Sequence, residues 1–243
     1  NGDYWQFFSW NLNRVAPTKK TPIGAIPTIA AAGSETSFSI VILDDMETGK
    51  KLNCNFNINR PSFAIMNPEF TYTVPKNQTA LGSIDILAHT FDRYFKEAYS
   101  HLGDAFCVGV MKNAIKYGPI AVEEPYSYEA RAELLLTSSL SHNDFTSIGR
   151  DGAGGSGHGL ESQISGTYDT PHGAGLGVCM PAHLEYLIEQ GEEKHIARAA
   201  QFAIDVFDVE PYVADKKEIA REGVKRFKTW IKSMGMPLTL KEL

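Results

Sequence analysis

Pro75-Lys76-Asn77-Gln78-Thr79-Ala80-Leu81-Gly82-Ser83-Ile84-Asp85-Ile86-Leu87-Ala88-His89-Thr90-Phe91-Asp92-Arg93-Tyr94-Phe95 is the stretch on which the reading of this 243-residue chain turns. Pro75 fits the first turn of a helix, and Ile84, Leu87, Ala88, Phe91 and Phe95 recur at spacings of three and four, the period of an amphipathic helix. Asp85 and His89 then project from one face about one turn apart, as two ligands of one metal ion do. The same spacing also arises by chance on surface helices. The apolar surroundings favour the metal reading, because a buried carboxylate is costly unless it is paired or bound to a cation.

Upstream of this helix the pattern differs. Ile23 to Ile29, Phe38 to Leu43, Leu52 to Phe56 and Phe63 to Met66 are rich in β-formers separated by turn signals, and read as strands. Asp44-Asp45-Met46-Glu47-Thr48-Gly49 has turn chemistry, so the second and third strands are expected to form a hairpin. Ala30-Ala31-Ala32-Gly33-Ser34 is small enough for a ligand or another backbone to approach closely. Downstream, Ala105 to Tyr117, Tyr128 to Leu140, Gly175 to Gln190, Glu193 to Phe207 and Asp215 to Met234 carry helical periodicity. The change near residue 75 marks a switch from an α/β portion to a helical domain, and no repeat at solenoid spacing is visible.

With 43% apolar and 21% charged residues the chain has the composition of a soluble globular protein of one large or two moderate domains. A formal charge of -6 and an isoelectric point near 5.7 give no basic patch, so nucleic acid is not an expected partner. Apolar stretches such as Phe38 to Leu43 are far shorter than the roughly 20 residues needed to cross a bilayer, so no membrane association is expected either. Cys54, Cys107 and Cys179 are widely spaced without a CxxC pair, which suits a reducing cytoplasm. The chain opens at Asn1 with the aromatic cluster Tyr4, Trp5, Phe7, Phe8 and Trp10, and stops at Leu243 just after Met236 begins a new segment; both ends are read as cut.

Two further histidines lie 14 residues apart. His158 sits among Gly152, Gly154, Gly155, Gly157 and Gly159 at a glycine-rich helix start, and His172 follows Pro171 at the mouth of the next helix. Each alone is compatible with an ordinary core histidine, and the glycines with a plain connection. Together with Asp85 and His89 they amount to one oxygen and three imidazole nitrogens, a set suited to Fe²⁺ or Zn²⁺ with room for an exchangeable ligand.

Gly82 through His89, and His158 through the Pro171-His172-Gly173 turn, resemble the two signature regions of the iron-containing alcohol dehydrogenase family, especially its butanol dehydrogenase-like members. Ile26-Pro27-Thr28 with Gly33-Ser34-Glu35, Asn67-Pro68-Glu69 before Thr71-Tyr72-Thr73-Val74-Pro75, and Tyr128-Glu129-Ala130-Arg131 fall in family order, so the resemblance covers nearly the whole chain. It implies a dehydroquinate synthase-like architecture: residues 1–75 as part of a Rossmann-like α/β cofactor-binding domain, and residues 76–243 as a helical metal-binding domain lacking its C-terminal part. It implies Asp85, His89, His158 and His172 as metal ligands, and Thr28, Ser37, Ser39, Lys51, Phe70 and Thr73 as the wall that holds NAD or NADP. The implied activity is metal-dependent oxidation of primary alcohols such as butanol, or reduction of the aldehydes, by a cytoplasmic homodimer. Lys51 suits the wall physically, since an ammonium can meet a ribose hydroxyl or phosphate oxygen, although on a strand it also reads as a solvated edge charge.

The chain departs from the family at four places. Ser162 stands where many relatives have a histidine thought to relay protons, and serine does not titrate near neutrality, so no catalytic residue is assigned beyond the ligands. Ala32 replaces a common threonine and Asn67 a common aspartate. The family's glycine-rich phosphate-binding loop, which belongs upstream of Tyr4, is not in this sequence, so the chain alone is expected to bind diphosphate poorly and to be inactive. Two rival readings follow: a glycerol dehydrogenase-like relative, and a catalytically silent metal-binding fragment.

Overall fold

Among the residues described by the computed structural model, namely 4–8, 15–43, 51–98, 100–150, 156–212 and 215–243, every strand precedes Pro75 and every α-helix follows it. The strands make two small ribbons. β1 (Gly24–Ala25) pairs in parallel with β4 (Phe63–Ala64), and β2 (Ser39–Leu43) pairs antiparallel with β3 (Lys51–Asn55), with Ile40 opposite Cys54 and Ile42 opposite Leu52. The expected hairpin is therefore present, while its turn at 44–50 lies outside the described residues, as do Trp10 and glycines 152, 154 and 155. The first strand is much shorter than the β-rich run Ile23 to Ile29 suggests. Ile26 and Ile29 lie beyond the pairing with β4 and stay exposed, so they gain neither ladder bonds nor a packed face.

The helices are α1 (Lys76–Tyr94), α2 (His101–Glu123), α3 (Tyr128–Ser141), α4 (Ser156–Tyr168), α5 (His172–Gln190), α6 (Glu193–Phe207) and α7 (Lys216–Ser233). Several starts follow from cap chemistry: the Ser100, Ser127 and Asp215 side chains accept from the backbone N–H groups of Gly103, Ala130 and Glu218. Pro75 is the residue just outside α1, its carbonyl taking the Thr79 N–H, rather than a member of the first turn. Helix α2 runs past Tyr117, where its periodicity weakens, because Pro119 is accommodated inside it. Proline has no N–H to give the Ile115 carbonyl, and the indole Nε1 of Trp230 on α7 donates to that oxygen instead, at 3.1 Å. No helix among the described residues is long and apolar enough to cross a membrane.

Helix α1 is the axis of the bundle and is buried on nearly every side from Thr79 to Asp92, packed chiefly against α2 and α5. Ile84, Leu87 and Phe91 share one core with Met111, Leu176, Met180, Phe202 and Phe227, each such side chain contributing about 1.5–3 kcal/mol by burial. Small residues set how closely its neighbours approach. A Cβ on Gly173, at the start of α5, would stand 2.4 Å from the Leu81 carbonyl oxygen of α1. On Gly82 it would stand 2.2 Å from the Ala30 carbonyl, so the Ala30–Ser34 patch does meet another backbone. Gly33 within that patch has φ +60, which an L side chain rarely adopts.

The far end of α1 is held by charge. The Tyr94 carbonyl accepts from Arg198 Nη2 at 2.6 Å and from Arg150 Nη1 at 3.3 Å, and the Arg198 guanidinium lies 3.6 Å from the centre of the Tyr94 ring. Both arginines converge on Asp104, which Arg198 grips with two bonds of 2.7 Å. Burial pulls the Asp104 carboxyl upward, but hydrogen bonds from Arg198 and Arg150 hold it below the usual carboxylate range. Its stabilisation is thus present above the ordinary carboxyl pKa and lost as pH falls through the depressed one. Two changes test this scaffold in urea melts. Asp104→Ala leaves two largely buried guanidiniums without a counter-charge and should cost about 3 kcal/mol. Gly173→Ala forces α5 off α1 and should cost about 1–3 kcal/mol. Unchanged midpoints would contradict the packing described.

Candidate metal centre

Three histidines, one each from α1, α4 and α5, stand around a single carboxylate oxygen of Asp85. Asp85 and His89 lie one turn apart on α1, with His89 Nε2 3.4 Å from Asp85 Oδ1. His158, in the first turn of α4, brings its Nε2 to 3.6 Å from the same oxygen, and His172, the first residue of α5, brings its Nε2 to 3.7 Å. Ligand atoms of Asp85, His158 and His172 all lie within 4.8 Å of one another. His89 joins this trio through its contact with Asp85 and through its ring, which stacks on His158 with centroids 4.4 Å apart.

These spacings suit a bound cation better than hydrogen bonds. A tetrahedral centre with bonds of about 2.0–2.2 Å separates its ligand atoms by roughly 3.3–3.6 Å. Asp85 Oδ1, His89 Nε2 and His158 Nε2 are all buried and make no hydrogen bond. Leaving one such atom unsatisfied costs about 1–3 kcal/mol, and two imidazole nitrogens beside one carboxylate oxygen form a donor set that a divalent ion would complete. Burial, followed by the neighbouring His158 and His142 rings, holds the His89 imidazole well below its ordinary value, so it presents a neutral lone pair. Burial also pushes His158 down, but the adjacent Asp85 and Asp92 carboxylates outweigh it and raise that ring to about 9.

Two carboxylates aim the histidines. Asp92, two turns along α1 from Asp85, accepts from His158 Nδ1 at 2.7 Å, and also accepts the backbone N–H groups of Gly157 and His158. It therefore caps α4 and orients its histidine together; Gly157 makes room, since a Cβ there would lie 2.9 Å from Asp92 Oδ1. Glu161, fully buried on α4, accepts from His172 Nδ1 through Oε2. Both contacts turn Nδ1 toward a carboxylate and so direct Nε2 toward Asp85, the role carboxylates play behind metal-bound imidazoles. Neither acid is anticipated by the sequence reading, although Asp92 recurs seven residues after Asp85 and Glu161 three after His158.

A further histidine is also missed. His142, just past α3, stacks on His89 at 3.9 Å, with its Nδ1 3.0 Å from the Ala32 carbonyl. Burial lowers it to about 4. No spacing in the sequence ties it to the ligands. Through His142 the expected cofactor wall reaches the cluster: Ser37 Oγ lies 3.4 Å from Nδ1 and Ser39 Oγ 3.4 Å from Nε2. Lys51, opening β3, donates to Ser165 Oγ on α4 at 2.9 Å. Thr28, Phe70 and Thr73 stand exposed on connections that precede α1, and Ser162 is half-buried on α4.

The Fe-containing alcohol dehydrogenase family, in its C-terminal part, matches residues 79–243, a span that contains Asp85, His89, His158 and His172. Among curated proteins, the NADH-dependent butanol dehydrogenase A of Clostridium acetobutylicum is 36% identical over 245 residues, covering 100% of this chain and 61% of that protein. The probable NADH-dependent butanol dehydrogenase 2 of Bacillus subtilis is 32% identical over 241 residues, covering 99% of this chain and 60% of that protein. Among solved structures, that of NADH-dependent butanol dehydrogenase A from Thermotoga maritima superposes with a TM-score of 0.89 at 30% identity, over 99% of this chain and 58% of that one. The chain thus spans about three fifths of the length of these relatives. On sequence, fold and the span of the match together, it belongs to the Fe-containing alcohol dehydrogenase family.

Proposed function

We propose that this chain carries the metal-holding part of an NAD(P)-dependent dehydrogenase that interconverts primary alcohols, butanol among them, with their aldehydes. The observation that supports this most is the set of buried, unpartnered atoms on Asp85, His89 and His158, which His172 Nε2 joins from α5. These four residues would hold Fe²⁺ or Zn²⁺, which when bound supplies Lewis-acid polarisation of a substrate oxygen. Asp85 provides the charge and the three imidazoles provide nitrogens, those of His158 and His172 aimed by Asp92 and Glu161; a bound ion would displace the proton that the neighbouring carboxylates favour on His158.

Ser37 and Ser39, at the start of β2, contact the His142 ring that backs His89, which supports a nicotinamide wall beside the four residues. NAD or NADP, when bound, accepts the hydride that an alcohol gives up. Thr28, Lys51, Phe70 and Thr73 complete that wall on this reading. Ser162 offers a hydroxyl where relatives place an imidazole, so it can pass a proton along a hydrogen-bonded chain but cannot store one near neutral pH.

Metal analysis of the purified full-length protein tests the reading. About one equivalent of iron or zinc per chain is expected, falling to background in Asp85→Ala and His172→Ala, together with NADH oxidation by butanal in the unmutated protein alone. Absence of stoichiometric metal, or variants that retain as much as the parent, would refute it.

A further inference from the structure

Glu161 is fully buried, yet it carries more than its contact with His172 can balance. Its Oε2 takes the His172 Nδ1 proton, while its Oε1 is buried without a hydrogen-bond partner. Helix α5 closes over the carboxyl: a Cβ on Gly175 would lie 3.0 Å from Oε1. The nearby Cys179 thiol is raised to about 11 by burial and then by the charge of Glu161. A carboxylate in such surroundings needs a cation, and the one the fold supplies comes from outside the helical bundle. Lys51, from β3, places Nζ 4.0 Å from Glu161 Oε2, steadied by its hydrogen bond to Ser165 one turn further along α4. The charge of Arg93 is felt with Asp144 and Asp92.

We propose that Lys51 is a positioning residue of the metal centre, acting through Glu161 on His172 in addition to any part in the cofactor wall. The ammonium compensates the Glu161 carboxylate, the carboxylate holds the His172 ring with Nδ1 toward α4, and Nε2 is thereby directed at Asp85. The charges support the arrangement: Asp92 has Arg93 and His158 beside it, whereas the cation beside Glu161 is Lys51. One lysine on the hairpin thus ties the strand portion of the chain to a ligand on α5. This inference rests on the metal reading above and makes a separate prediction.

The test measures Co²⁺ affinity of the full-length protein, followed by the visible absorption of the bound ion, with melting of the metal-free protein as the fold control. Lys51→Met should weaken Co²⁺ binding about tenfold with little change in the metal-free melt, and Lys51→Arg should restore most of the loss. Lys51→Gln, which can still reach Ser165 but has no charge, should behave as Lys51→Met does and serves if that variant is insoluble. Glu161→Gln should weaken binding likewise, and adding Lys51→Met to it should cost little more, because both act along one chain of contacts. Wild-type affinity in Lys51→Met and Lys51→Gln, or additive losses in the double variant, would overturn the proposal while leaving the metal site in place. A parent protein that takes up no Co²⁺ would overturn the metal reading, and this inference with it.

Discussion

A single carboxylate oxygen, Asp85 Oδ1, has three imidazole nitrogens gathered within 3.7 Å of it inside a helical core. That arrangement is uphill in a bare protein, because the atoms on Asp85, His89 and His158 are buried without hydrogen bonds. It persists because α1 is pinned on all sides, so that the backbone rather than the side chains fixes where Asp85 and His89 sit. The starts of α4 and α5 are then brought to that fixed line by glycines. Gly157 lets Asp92 reach the first turn of α4, and Gly173 lets α5 begin almost in contact with the Leu81 carbonyl. Substitutions at these positions move ligands without touching them.

Around the four proposed ligands lies a layer in which each histidine has a distinct support. His158 leans on Asp92, His172 on Glu161, and His89 is clamped between the faces of His158 and His142. The two carboxylates set which nitrogen faces Asp85, whereas the stack sets only a plane. The layer also joins the two parts of the chain, since His142 meets Ser37 and Ser39, and Glu161 meets Lys51. Ser37, Ser39 and Lys51, which read in sequence as part of a cofactor wall, thus lie in the packing and charge environment of the cluster.

How much of this is legible from sequence depends on whether the information is local. The i,i+4 pair Asp85 and His89 is legible because a helix fixes their geometry within one turn. Helix α6 is legible to its ends because its apolar stripe is strong, while α2 is underestimated: the reason it continues past Pro119 is an indole 111 residues downstream of that proline, which no local pattern reveals. The parallel strand at Gly24–Ala25 is overestimated, since its isoleucines gain nothing from β4. His158 and His172 are individually bland, and only the family resemblance groups them with α1. Asp92, Glu161 and His142 are invisible for a related reason: acids on helices and a histidine after one are common, and their roles exist only once α4 and α5 have docked.

The convergence itself can be observed directly. Crystals of the full-length protein grown with iron or zinc, with diffraction recorded on either side of that metal's absorption edge, should show one strong anomalous peak per chain within about 2.0–2.3 Å of Asp85 Oδ1 and of the Nε2 atoms of His89, His158 and His172. A peak coordinated elsewhere in the chain, or none in metal-saturated crystals, would contradict the account.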